Sequence, residues 1–131
     1  MDTGFAIATY NRRDQLHQRA RQIDSALADA SEVWTTDAVL LEISAALAKP
    51  AARARAIQFW DQFHGQNPKF RSVEFSGSTA TDAVNLYRER IDKSWSLTDC
   101  LSFVVMEQEK LNDALTTDRH FEQAGFRALL L

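Results

Sequence analysis

Four short segments rich in β-branched, aromatic or leucine residues, "EVWTT", "FRSVEF", "DALTTD" and "FRALLL", are kept apart by stretches with helical periodicity. This alternation constrains the fold more than any other feature. Strands joined through helices form right-handed crossover units, so a mostly parallel central sheet flanked by helices on both faces is expected, an α/β fold. At 131 residues the chain should form one domain, 1–131, with a core large enough to need no disulfide or structural metal. Only four Gly and two Pro occur, which predicts short loops.

The helical stretches carry their own punctuation. From Asp14 to Ala30, Leu16, Ala20, Ile23, Leu27 and Ala30 recur at three- and four-residue intervals, with Asp14 placed to cap the helix. "DAVLLEISAALAKP" is apolar on nearly every side, ends at Pro50, and holds the acid Glu42 in its interior. The next helix starts at Pro50, stops at Gly65, and shows an apolar face of Ile57, Phe59, Trp60 and Phe63, whose three aromatics read as core or dimer contact rather than a base-stacking platform. "GSTATDAVNLYRERID" offers a Ser/Thr cap and a fifth helical pattern follows "WSLTDC". Ligand sites in open parallel sheets lie beyond the carboxyl ends of the strands, and Asp118 directly follows the "ALTT" strand.

Composition excludes several classes. Cys100 is the one cysteine, so no internal disulfide can form, and with three scattered histidines it does not make a zinc motif. It reads as a small buried helix residue, and the expected compartment is the cytoplasm. The start "MDTGFAIATYNRRD" lacks a basic leader with a long apolar run, and no stretch reaches membrane-spanning length. A net charge of −3 speaks against coating nucleic acid by bulk electrostatics, but acids gathered around cations would not count against an RNA substrate.

Four acids occupy positions that periodicity does not explain: Asp2 in "MDTG", Glu42 in "LLEIS", Asp99 in "SLTDC" and Asp118 in "TTDRHF". Ser96 followed three positions later by Asp99 is also a helix start, so a capping acid is one reading of Asp99. Together the runs "DTG", "TTDAVLLEI", "WSLTDCLSF" and "ALTTDRHFEQAGFRALL" resemble, in order, the blocks of the PIN domains, and within them the VapC-like ribonuclease toxins of prokaryotic toxin–antitoxin pairs. The resemblance covers nearly the whole chain. It implies an α/β/α sandwich whose acids converge on one or two Mg²⁺ or Mn²⁺ ions and hydrolyse RNA. Carried over block by block, Asp2, Glu42, Asp99 and Asp118 are the catalytic and metal-binding acids. Thr3 matches the family's small hydroxyl residue beside the first acid, whereas Asp37 matches no motif position and is not assigned.

The chemistry requires such residues on its own account. Phosphodiester hydrolysis needs an activated water and a neutralised leaving oxygen, and hard cations held by carboxylates supply both. Two unit charges about 4 Å apart at an effective dielectric of about 20 repel by roughly 4 kcal/mol. A helix N-terminus returns only about 0.3–1 kcal/mol to a carboxylate. Converging acids therefore demand a cation or shared protons. RNA would be gripped by cationic side chains at the rim, and Arg12, Arg13 and Arg119, with Thr3, are the substrate-binding candidates, followed by Lys49, Arg53 and Arg55. His17 and His64 read as surface helix residues and His120 as a local partner of Asp118. The resemblance further implies a homodimer formed through helices next to the acid-bearing ones, and a cognate antitoxin lying across "AARARAIQFWDQF".

Two other functions compete. A catalytically inactive PIN-like interaction module would be expected to lack one of the four acids, and all four are present. A phosphoacceptor receiver domain needs an Asp ending a central strand and a late Lys, but "SVEFSGS" supplies no such Asp and no Lys follows Lys110. In the PIN family the first acid ends a buried central strand, whereas here only Met1 precedes Asp2. Either the true start lies upstream, or the chain begins late with "FAIATY" the helix after a shortened strand, or "FAIATY" is a strand itself and Asp2 is displaced.

Overall fold

The computed structural model describes all 131 residues. In chain order it contains α1 (Thr3–Tyr10), α2 (His17–Ala26) with a 3-10 turn over Leu27–Asp29, β1 (Val33–Thr36), α3 (Asp37–Ala46), α4 (Pro50–His64), β2 (Phe70–Val73), α5 (Gly77–Glu89), α6 (Leu97–Gln108), β3 (Asp113–Ala114), α7 (Arg119–Gln123) and β4 (Arg127–Ala128). β1 runs parallel to β2, from Val33 opposite Phe70 to Thr36 opposite Val73, and β3 runs parallel to β4. Both pairs are joined through helices, as parallel strands require. This is the expected α/β architecture with parallel strands and flanking helices.

The sheet differs from expectation at its centre. β1 and β3 do not pair with each other, and Met1 and Asp2 sit between them. The Met1 ammonium donates to the Trp34 carbonyl at 2.6 Å, the Thr35 hydroxyl donates to the Met1 carbonyl at 2.9 Å, and the Asp2 amide donates to the Leu115 carbonyl at 2.9 Å. Burial pushes the pKa of that ammonium down to about 6. Alongside this two-residue bridge, the strand edges bound a groove of about 370 Å³ lined by Glu32, Val33, Val105, Met106, Leu111 and Asp113 among others.

"FAIATY" is helical, which removes the reading of it as a strand. Its two alanines favour helix, and the buried set Phe5, Ala6, Ala8 and Thr9 follows one helical face rather than alternating as a strand would. α2 begins at His17 instead of after Asp14, because the Asp14 carboxylate accepts the Leu16 amide at 2.8 Å and holds a separate turn. α3 stops at Ala46, since Lys49 is extended ahead of Pro50, which takes the first position of α4. β3 is only two residues long; beyond it Leu115 turns its carbonyl to Asp2.

Two apolar centres position the site. One joins α1, α3 and α4 through Phe5, Val39, Ile43, Phe59 and Phe63. The other packs Trp95 and Phe121 edge-on to Phe103, with ring centroids 4.9 and 5.0 Å away. Burying one such ring stabilises the fold by about 1.5–3 kcal/mol. Phe121 thereby fixes α7 against α6, and with it the residues on either side. Gly125, at φ +95°, ends α7 in the left-handed region that favours glycine.

Candidate metal centre

Asp99 and Asp118 reach the same place from two helix starts. Ser96 and Asp99 form a reciprocal capping box: the Ser96 hydroxyl accepts the Asp99 amide at 3.0 Å, and the Ser96 amide donates to Asp99 Oδ2 at 2.9 Å. Asp118 caps α7, where its Oδ1 accepts the His120 amide at 2.8 Å. His120 then turns its ring between them, with Nδ1 3.1 Å from Asp99 Oδ2 and 3.2 Å from Asp118 Oδ2. One ligand atom from each of Asp99, Asp118 and His120 lies within 4.8 Å of the other two.

Asp2 is tied to this group through a buried hydroxyl. Thr116 Oγ1 donates to Asp2 Oδ2 at 2.8 Å and accepts the Asp118 amide at 2.9 Å. Burial raises the Asp2 carboxyl above its ordinary range, and the charge of Asp99 pushes the same way. The Thr116 hydroxyl, the Thr3 amide and the nearby Met1 ammonium oppose the rise without cancelling it. Glu42 projects from α3 on the exposed side and accepts the Thr3 hydroxyl at 2.8 Å. Neither Asp2 nor Glu42 joins the three-way cluster at its 4.8 Å spacing.

Local sequence explains the "DTG" run. Asp2 points to Thr116, Thr3 holds Glu42, and Gly4 lets the start of α1 approach Thr117 so closely that a Cβ would collide with the Thr117 hydroxyl. Arg119 stands exposed beside Asp118. Arg12 and Arg13 follow the far end of α1, whose eight residues rise about 12 Å from Asp2. Lys49 is exposed, Arg53 donates to the Ala48 carbonyl at 3.0 Å, and Arg55 lies over the Phe59 ring at 4.3 Å. Asp37 holds the start of α3 to Ser72 and His64, the latter at 2.9 Å.

Sequence reasoning did not anticipate Thr116 or the bridging position of His120. The signal for Thr116 was weak but physical, a hydroxyl residue two positions ahead of a capping Asp and so able to accept that residue's amide. His120 lies on the first turn of a helix that Asp118 starts, which brings its ring back over the cap.

A family model for the PIN domain matches residues 1–127. The chain belongs to the PIN domain family. Among solved structures, this PIN domain is similar to the crystal structure of VapC20 from Mycobacterium tuberculosis, a toxin that cleaves the sarcin-ricin loop. The two share 22% identity and a TM-score of 0.82, over 95% of this chain and 93% of that one. At that identity the likeness speaks to the fold. No curated protein matches this PIN domain.

The donor set fits a hard divalent cation. Carboxylate oxygens converge at two helix starts, a third carboxylate is linked to them through Thr116, and repulsion among such groups is relieved by positive charge.

Proposed function

We propose that this PIN domain is a metal-dependent endoribonuclease, the toxin of a toxin–antitoxin pair. The observation that carries the reading is the meeting of Asp99 and Asp118 across two capped helix starts, with Asp2 tied to Asp118 through Thr116. Asp2, Asp99 and Asp118 would hold Mg²⁺ or Mn²⁺, and Glu42, held by Thr3, would complete the acidic rim. A bound cation supplies an activated water and neutralises the leaving oxygen. The chain's own residues supply position. The capping bonds hold the carboxylates of Asp99 and Asp118 before substrate arrives, and Arg119 beside them would contact a phosphate. Arg12 and Arg13, about a helix length away, would contact RNA further along its backbone.

Exposed apolar side chains support the partner reading. Leu41 on α3 and Ile57 and Trp60 on α4 are 61%, 53% and 41% exposed, an unusual outlay of large apolar side chains on neighbouring helices. This face would pair two copies in a homodimer and lie next to the antitoxin, which would run along residues 51–63. No helix is long and apolar enough to cross a membrane.

The test is incubation of the purified protein with a structured RNA in Mg²⁺, in Mn²⁺ and in excess chelator, alongside Asp118→Asn. Cleavage should require the ion and disappear in the variant. Cleavage that persists in chelator, or in Asp118→Asn, refutes the metal mechanism. Light scattering at tens of micromolar should give twice the chain mass, and a strict monomer refutes the dimer.

A further inference from the structure

His120 does more than neighbour the acids. Its Nδ1 faces Asp99 Oδ2 at 3.1 Å and Asp118 Oδ2 at 3.2 Å simultaneously. An imidazole N–H points in one direction in the ring plane, so it can serve one of these carboxylates well and the other only poorly. A positive centre between the three groups would satisfy all of them. Ligand atoms about 2.0–2.1 Å from an octahedral ion stand about 3 Å apart along each edge, and Nδ1 has that spacing from both oxygens.

The ring is also held in place from outside. Its own amide is bound by Asp118 Oδ1 at 2.8 Å, and the next residue, Phe121, is buried edge-on to Phe103. The other two histidines are engaged elsewhere, His17 with the Ala8 carbonyl at 2.8 Å and His64 with Asp37.

We propose that His120 is a nitrogen ligand, through Nδ1, of the cation held by Asp99 and Asp118, and that it makes this centre favour Mn²⁺ over Mg²⁺. Mg²⁺ takes oxygen donors and gives up its waters reluctantly, whereas imidazole suits the first-row transition ions. The proposal rests on the metal-centre reading above and adds the identity of a fourth donor and the choice of ion.

The experiment uses the whole chain with Mn²⁺ as probe. Pulsed electron paramagnetic resonance of the Mn²⁺-loaded wild type should show nitrogen hyperfine coupling from a directly bound imidazole, and His120→Gln should lose it. In calorimetric titrations, His120→Ala and His120→Gln should weaken Mn²⁺ binding by at least about tenfold and Mg²⁺ binding much less. The wild-type spectrum needs no variant, so a poorly folded substitution does not leave the question open. Mn²⁺ that is bound, is lost in Asp118→Asn, and shows no nitrogen coupling overturns the His120 assignment and leaves the acidic centre standing. Equal loss of both ions in the His120 variants makes His120 a positioning residue and overturns it too. A wild type that binds neither ion overturns the metal centre and this proposal together.

Discussion

Asp99 Oδ2 accepts the Ser96 amide and faces His120 Nδ1, so one atom serves both a helix cap and the acidic group. The two duties separate by mutation. Asp99→Asn retains an oxygen able to accept the Ser96 amide, so the metal-free protein should melt within about 1 kcal/mol of wild type, while RNA cleavage and stabilisation by Mn²⁺ should be lost. Ser96→Ala should do the reverse, costing about 1 kcal/mol and sparing cleavage. Melts with and without Mn²⁺, read beside a cleavage assay, decide it; an Asp99→Asn protein that still cuts would leave Asp99 a cap alone. Asp2 offers a second separation. Its carboxyl is raised in the folded protein, so folding binds the proton more tightly than the unfolded chain does. Its contribution is therefore most favourable below the ordinary carboxylate range and is lost as pH rises through the raised value. Asp2→Asn should raise the metal-free melting midpoint at neutral pH, and the gain should shrink in acid. An equal gain at both pH values would show that the charge is not the cause.

Among the elements, α1 is the one whose placement depends on a missing side chain. Gly4→Ala would drive a methyl group into the Thr117 hydroxyl and should cost about 1–3 kcal/mol. Thr117→Ala in the same chain should recover much of that loss, and chemical denaturation of the single and double variants measures the coupling. Such a contact joins the first turn of the chain to residue 117 and leaves no periodic trace, so it was not legible in the sequence. The helices were legible, because apolar spacing and the Pro50 and Gly65 boundaries are local signals. The strands were legible as short apolar runs, but their pairing was not. β3 pairs with β4 on one edge while just beyond it Leu115 bonds on the other to Asp2, a partner more than a hundred positions away. Of the site, the acids came from blocks of sequence, whereas Thr116 and the bridging ring of His120 emerged only once α7 was folded back by Phe121.

In the whole molecule, two parallel strand pairs meet along Met1 and Asp2, and a groove continues between their edges beyond Met1. A short β-branched segment fused ahead of Met1 would convert the buried ammonium to an amide and lay apolar side chains in that groove, at about 25 cal/mol per Å² buried. Its melting midpoint should exceed that of a Gly/Ser segment of equal length; equal midpoints would show that the groove does not accept a strand. The same geometry governs how the protein is handled at the bench. A purification handle joined ahead of Met1 would begin at the buried ammonium, next to Asp2, and its first few residues would become part of whatever is measured. Leu131 is 43% exposed, so a handle joined after it would begin at the surface.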